Sequence, residues 1–176
     1  MIKKYLTQQQ KAGGTVAWSR DSAPGNEEVK LLAMRVKDSL GEETNLFSSS
    51  RDLYVEMEFE ANTKHTSLCV GFDLMLPSGD VVARSYHTDM SEDKWPHIQS
   101  GRNSWVCRIP ARLLNAGVYY VSPRIGMHNL YWIVNIDMVL RFELLLDHGV
   151  SPFWNDLTER NRPGIIAQIF DWKKCP

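Results

Sequence analysis

The sequence has 176 residues, 43% of them apolar and 23% charged, with a formal net charge of -1. This composition is that of an ordinary globular protein, and the length suits one domain with some extra at the ends. The near-zero charge argues against nucleic acid or an anionic membrane surface as the main partner, and no apolar stretch approaches the roughly 20 residues of a membrane helix.

Residues 1–22 are predicted to form a linker or N-terminal arm, because a glutamine-rich start and Gly13–Gly14 break any hydrophobic period. Trp18 is the exception in this polar segment. A large aromatic side chain there is expected to dock, either on its own domain or on a neighbouring one. The main domain is predicted to cover residues 23–176.

Alternating apolar residues predict strands over residues 29–38, 53–60, 66–76 and 81–88. The segment 53–60 alternates most cleanly, and its other face carries three glutamates that indicate a solvated surface. The same parity extends to later strands. The predicted core positions are Leu53, Val55, Met57, Phe59, Leu68, Val70, Phe72, Tyr119, Val121, Phe142 and Leu144.

Residues 103–126 are predicted to form the corner around which the chain is organised. Pro110 should end a first strand, Leu113 and Leu114 should plug the connection, and Gly117 should allow a sharp change of direction. The second strand then places Tyr119 inward and the Tyr120–Ser122–Arg124 face outward. That face is the first candidate binding surface.

The rest of the chain is predicted to contain one long strand over residues 132–146, a polar loop over 147–162 and a C-terminal strand over 163–172. Turn signals separate the strands at short spacing, and helical periods are absent from the sequence pattern. The sequence therefore predicts an all-β fold, an antiparallel β-sandwich.

Sequence signatures of enzymes are missing from the chain. It contains no GxxxxGK[ST], HExxH or GxSxG, and its five histidines are scattered. Three widely spaced cysteines without CxxC indicate reduced thiols in a cytosolic protein. We therefore predict a non-catalytic domain with no metal and no cofactor. A glycan-modifying enzyme, which would need two acids across a cleft, is the minority interpretation.

The order of motifs resembles a known family. Ala23-Pro24-Gly25-Asn26-Glu27 precedes the first strand, Ile109-Pro110 precedes a leucine pair, and Gly117-x-Tyr119 follows. Phe142-x-Leu144 and a Gly164 before Trp172 complete the pattern. Over roughly residues 16–172 the chain resembles the C-terminal carbohydrate-binding domain of Wzt, the ATP-binding subunit of bacterial O-antigen polysaccharide exporters.

The resemblance implies a β-sandwich of immunoglobulin-like or jelly-roll topology that binds the non-reducing end of a lipid-linked O-antigen polysaccharide before export. It also implies a place in the cytoplasm, at the inner face of the inner membrane, beside the transporter's membrane subunit and ATPase domain. The family's ATPase half is missing, so the chain is expected to be an isolated domain. A stand-alone homologue is the alternative.

A sugar site needs aromatic platforms for C–H faces and bidentate polar groups for hydroxyls. The strand faces supply six candidates. For each tyrosine taken alone, sheet packing is an equal alternative, and for the arginines the alternative is a weak surface ion pair with glutamates on adjacent strands. A structural or dimerisation domain without its own ligand is the alternative function. The predicted carbohydrate-binding residues are Asp73, Arg84, Tyr86, Tyr120, Ser122 and Arg124.

The C-terminal segment is too apolar for a free tail, with Ile165, Ile169, Phe170 and Trp172 close together. A long loop before it could carry the strand to a second copy, which is a low-cost route to a dimer. The resemblance implies the same homodimer through strand exchange. The alternative is that the strand completes its own sandwich.

Overall fold

A computed structural model of the chain describes residues 10–11, 14–42, 44–62, 67–149, 151–154 and 163–175. These residues contain no α-helix, only two short 3-10 turns at Glu92–Lys94 and Pro152–Trp154, so the predicted all-β class is confirmed. In this part of the chain no helix has the length and apolarity to cross a membrane.

The described residues form eleven strands. In chain order they are β1 (Gln10–Lys11), β2 (Thr15–Ala17), β3 (Val29–Asp38), β4 (Leu46–Ser48), β5 (Leu53–Ala61), β6 (Leu68–Met75), β7 (Val81–Tyr86), β8 (Gly101–Ile109), β9 (Gly117–Met127), β10 (Tyr131–Asn135) and β11 (Leu140–Leu145).

The strands form two sheets packed face to face. The first has the order β1-β2-β3-β5-β8, and the second has the order β4-β11-β9-β6-β7, with β10 also pairing with β9. All pairs are antiparallel except β4 and β11, where Glu143 faces Leu46 in a parallel register. The predicted antiparallel sandwich is confirmed, and this pair is its parallel exception among the described strands. Between β3 and β5 the chain crosses to the second sheet, so no hairpin sets the direction of β4.

The core lies between the sheets, and all eleven predicted core positions are buried, with at most 5% of their surface exposed. Tyr119 stacks on Phe142 with ring centroids 5.6 Å apart, and Phe47 meets Phe142 edge-on at 6.0 Å. Burying each side chain of this size stabilises the fold by about 1.5–3 kcal/mol. Period-two alternation therefore predicted the register correctly.

The predicted corner is also present. Gly117 has a φ of 150°, a backbone conformation that residues with a β-carbon rarely adopt. The hydroxyl of Tyr119 donates to the carbonyl oxygen of Asn115 over 3.0 Å, and Leu114 is 4% exposed beneath the turn. Such a bond from a strand tyrosine back to the preceding turn holds a sandwich corner closed.

The N-terminal arm is partly built into the sandwich. Val16 in β2 faces Met34 in β3, and Trp18 packs against the domain's own core. The predicted boundary at residue 22 therefore falls too late, because residues 14–18 already belong to the first sheet and its margin. Arm residues 1–9 and 12–13 lie outside the described residues.

The predicted strand over residues 132–146 is two strands, β10 and β11, separated at residues 136–139. Met138 has a φ of 55°, and its N–H donates to the Oγ of Ser122 over 2.7 Å. The sequence pattern missed this break because Ile136 and Val139 continue the apolar run. The break supplies groups to the site described below.

The C-terminal segment makes one isolated bridge in the single chain, between Ile166 and Leu114, and no strand ladder. Ala167 is fully buried: its N–H donates to the carbonyl of Leu113 over 3.0 Å, and its carbonyl oxygen lies 2.9 Å from the Nε2 of His148. Beyond it the chain is exposed, and Trp172 is 95% accessible. Most of the preceding loop, residues 150 and 155–162, lies outside the described residues.

Candidate functional site

Five of the six predicted site residues meet on the outer face of the second sheet. Gly71 in β6 faces Tyr86 on β7 and Arg124 on β9, and two residues further along β6 Asp73 faces Arg84 and Ser122. Residues paired directly across antiparallel strands point to the same side of a sheet. These two rows therefore carry the polar face that the sequence indicated.

Asp73 is the centre of this face and is fully buried. Arg84 donates two hydrogen bonds to its carboxylate, from Nε to Oδ1 at 2.6 Å and from Nη2 to Oδ2 at 2.8 Å. Arg124 adds a third bond, from Nε to Oδ2 at 2.8 Å. One carboxylate therefore fixes two guanidinium groups. Arg124 is almost completely buried, whereas 46% of the Arg84 side chain is exposed.

Further donors of Arg124 bond the break between β10 and β11 and a carbonyl of its own strand. Its Nη1 donates to the carbonyl oxygens of Ile136 at 2.9 Å and Pro123 at 3.1 Å, and its Nη2 pairs with the carboxylate of Asp137. The side chain of Asp137 is 66% exposed. The result is a closed network of two carboxylates and two guanidinium groups that reaches the surface at Arg84 and at Asp137.

The network fixes its own charge state. Burial alone would raise the pKa of Asp73, but the hydrogen bonds and positive charges of Arg84 and Arg124 outweigh it and hold the pKa below the ordinary value. The hydrogen bond to Asp73 in turn raises the pKa of Arg84. At neutral pH Asp73 and Arg84 are therefore both ionised, and Arg84 is held in a single orientation.

Three predicted site residues are not on an open surface. Asp73, Ser122 and Arg124 are each less than 5% exposed. Ser122 accepts from the N–H of Met138 and donates to the Sδ of Met75 over 2.9 Å. The expectation that these three side chains line an open face is wrong, because the break at residues 136–139 hydrogen-bonds over them.

Tyr120 lies outside this cluster. It faces Met75 on β6 and Arg141 on β11, and it is half-buried. Four residues separate it from Arg124 along β9, which corresponds to about 13 Å of extended strand. The shared parity of Tyr120 with Ser122 and Arg124 is real, but the structure does not bring its ring to the groups around Asp73.

A cleft of about 530 Å³ opens next to the network on the same face. Tyr86 at the end of β7 and Trp132 on β10 form its walls, Cys69 and Gly126 form its floor, and the turn at residues 128–130 closes one end. Strands β6 and β9 lie between the two walls, so the wall backbones are about 14 Å apart. Trp132 is 49% exposed.

Two glycines let the aromatic walls lie against the sheet. A β-carbon on Gly126 would come within 3.1 Å of the Cε3 of Trp132, and one on Gly71 would come within 2.7 Å of the Cδ1 of Tyr86. The guanidinium carbon of Arg84 lies 6.0 Å from the Trp132 ring centroid, at the outer limit of a cation–π contact. The cleft therefore combines two aromatic faces with one fixed guanidinium at its margin.

Sequence analysis missed Trp132, Gly71 and Gly126 as parts of the site. A usable signal was present, because glycine inside a strand often marks a place where another group approaches the backbone closely. Both glycines lie on the outward parity of their strands, next to predicted site residues. Trp132 was missed because residues 132–146 were predicted to form one continuous strand.

Two further polar contacts among the described residues involve a cysteine or a histidine. Cys69 on the cleft floor lies 4.0 Å from the Nδ1 of His128. Ser49 and His148 form a 2.7 Å hydrogen bond, but His148 is 3% exposed and its Nε2 contacts the carbonyl of Ala167, which suits a structural role. Among the described residues no group of three or more His, Cys, Asp or Glu could hold a metal ion.

The described geometry suits recognition of a polyhydroxylated ring. Aromatic faces such as those of Tyr86 and Trp132 pack against apolar C–H surfaces, while a fixed guanidinium donates to oxygen acceptors. Comparison with known proteins places the chain in a family. The family model of the Wzt C-terminal domain matches residues 20–154.

The chain belongs to the Wzt C-terminal domain family. It is also similar in fold to a solved structure described as the crystal structure of the C-terminal domain of Wzt, with a TM-score of 0.63. That match covers 94% of this chain and 93% of the other at 11% sequence identity. A search of curated proteins finds no match. Membership of the Wzt C-terminal domain family is consistent with a role in O-antigen ABC transporters.

Proposed function

We propose that this domain recognises the non-reducing end of a lipid-linked bacterial O-antigen polysaccharide and couples it to export by an ABC transporter. The observation that carries the proposal is the cleft between Tyr86 and Trp132, with Arg84 fixed beside it by Asp73. Family membership supports the transporter context, and the geometry supports binding of a glycan.

In this proposal the site residues have two different roles. Tyr86, Trp132 and Arg84 contact the sugar, because their side chains reach the cleft or its margin. Asp73 and Arg124 act as positioning residues, because they are buried and hold Arg84 and the 136–139 break in place. Ser122 positions the same break through Met138.

The proposed setting follows from the same family. The domain would act in the cytoplasm, at the inner face of the inner membrane, next to an ATPase domain and a membrane subunit of the transporter. We also propose that it forms a homodimer through its C-terminal segment. The exposure of Phe170 (70%) and Trp172 (95%) supports this, because large apolar side chains left in water commonly mark an interface.

The alternative is a sandwich that only joins larger parts and has no ligand of its own. Calorimetric titration with the O-antigen polysaccharide of the producing strain separates the two functions. Saturable binding with about one glycan end per domain supports recognition. A dimer that releases no heat with this polysaccharide, and that binds nothing on an array of bacterial glycans, supports the structural role.

A further inference from the structure

The cleft is unusual in its charge. Among the described residues that line it, Asp89 is the one with a carboxylate, and neither lysine nor arginine is among them. The Oδ2 of Asp89 accepts the backbone N–H of Tyr86 over 2.8 Å, which fixes its charge at the rim. The side chain is exposed, so its negative charge is available to a ligand.

A second carboxylate, that of Glu28, is bonded to Tyr131 at the other side of the cleft. The hydroxyl of Tyr131 donates to the Oε2 of Glu28 over 2.9 Å. The hydroxyl proton is therefore directed at Glu28 and is not offered to an acceptor in the cleft. The carboxylates of Asp89 and Glu28 therefore place negative charge at two sides of the cleft.

The neighbouring arginines do not reverse this balance. Arg84 and Arg124 are matched by Asp73 and Asp137 in the closed network, so the four groups carry no net charge. Asp73 occupies the Nε–Nη2 edge of Arg84, so Arg84 offers a ligand only its remaining N–H groups, and it does so at the margin of the cleft. Among the described residues, the cleft lining therefore carries the negative charge of Asp89 and no positive charge from lysine or arginine.

We infer that the cleft selects an uncharged glycan end and rejects ends that carry a carboxylate or phosphate. This inference rests on the proposed glycan function and adds the chemical class of the ligand. Stacking on Tyr86 and Trp132 contributes without regard to charge, whereas an anionic substituent inside the cleft would meet the carboxylate of Asp89 and no lining lysine or arginine. Juxtaposed like charges are a strong means of discriminating between ligands.

The test is a glycan array that carries neutral bacterial oligosaccharides beside their uronic-acid and phosphate-bearing counterparts. It is run at about pH 8, above the ordinary titration range of histidine side chains. We expect the best neutral ligand to bind at least about tenfold more tightly than its acidic counterpart. Its affinity should change less than about twofold between low and high salt, because no ion pair forms.

Asp89→Asn tests the cause directly, since an amide oxygen can still accept the N–H of Tyr86. The variant should reduce the discrimination against acidic counterparts by about fivefold or more, while Asp80→Asn in the β6–β7 turn should not change it. Acidic glycans that bind as well as or better than neutral ones would overturn the charge inference alone. Failure of every glycan to bind would contradict the proposed function itself, and this inference with it.

Discussion

Arg84 and Asp73 face each other across β7 and β6 and share two parallel hydrogen bonds of 2.6 and 2.8 Å. The carboxylate is fully buried and the guanidinium is half exposed. A bidentate pair of this kind fixes direction as well as distance, so the exposed part of Arg84 is held beside Trp132 before any ligand arrives. Prior ordering of this kind lowers the entropy cost of binding.

Arg124 should matter for stability more than for direct contact with a ligand. Arg124→Met removes a buried guanidinium that bonds Asp73, Asp137 and the carbonyl of Ile136. We expect the free energy of unfolding to fall by about 2–3 kcal/mol, less than for a fully unpaired buried charge because Arg84 still holds Asp73. Urea unfolding measures the change.

Arg141→Met is the matched control on the same sheet. Its side chain is 42% exposed and pairs with the equally exposed Glu143, so we expect a change within about 0.5 kcal/mol. Equal effects of the two substitutions would contradict the buried network.

Gly71 should tolerate no side chain. In Gly71→Ala the new methyl group would meet the carbonyl oxygen of Ser85 and the ring of Tyr86. We expect the free energy of unfolding to fall by about 1–3 kcal/mol and the Tyr86 ring to move away from its position in the cleft wall. Cys69→Ala, two residues earlier on the same face, adds no atom and should leave the melting temperature nearly unchanged. A Gly71→Ala protein as stable as the parent would show that the Tyr86 ring does not lie on the sheet.

His87 gives the fold a pH dependence above the carboxylate range. Burial lowers its pKa below the ordinary value of 6.5, and its Nδ1 lies 3.1 Å from the N–H of Val70, which suits a neutral ring. As pH falls below 6.5 the unfolded chain takes up a proton that the folded chain resists, so stability decreases. Between about pH 7 and 5.5 we expect the melting temperature to fall by about 1–3 °C.

Replacing His87 with Asn should remove most of that slope, because an amide does not titrate. His97 lies exposed in the loop before β8, and His97→Asn should preserve the slope. If the two variants and the parent show the same dependence, His87 is not the group responsible.

The proposed dimer depends on the exposed end of the C-terminal segment. Phe170→Ser with Trp172→Ser removes apolar surface that is 70% and 95% exposed in the single chain, while the contacts of Ala167 remain. We expect the double variant to sediment as a monomer with an unchanged melting temperature when dilute. The matched double variant Leu130→Ser with Val106→Ser, also exposed, should remain dimeric. A dimer that survives the Phe170 and Trp172 changes excludes this segment as the interface.

Local alternation was enough to predict the sandwich and its core. The inward positions of β5, β6, β9 and β11 follow from a period of two, which a one-residue register shift would invert. The pairing of Asp73 with Arg84 on the outer face can also be inferred from the sequence, because the two residues lie on strands joined by a short turn. The parallel pairing of β4 with β11 cannot be inferred in this way, since it depends on how the chain crosses between the sheets.

The accessibility of the site could not be read from parity alone. Ser122 and Arg124 point outward from their sheet but are covered by the 136–139 break, whose position depends on the φ of Met138 and on bonds made over a distance in sequence. Trp132 reaches the cleft because β10 folds back beside Gly126. Parity gives the face of a sheet, and long-range contacts decide which side chains on it meet solvent.

The most direct test of the central claim compares three single substitutions in glycan binding. Trp132→Ala and Tyr86→Ala each remove a cleft wall, whereas Tyr120→Ala removes an aromatic ring from the same sheet face outside the cleft. Titrating the O-antigen polysaccharide into each variant by calorimetry, we expect the first two to weaken binding by about tenfold or more and the third by less than about twofold. Unchanged affinity in Trp132→Ala and Tyr86→Ala, with a loss in Tyr120→Ala, would contradict the cleft as the site.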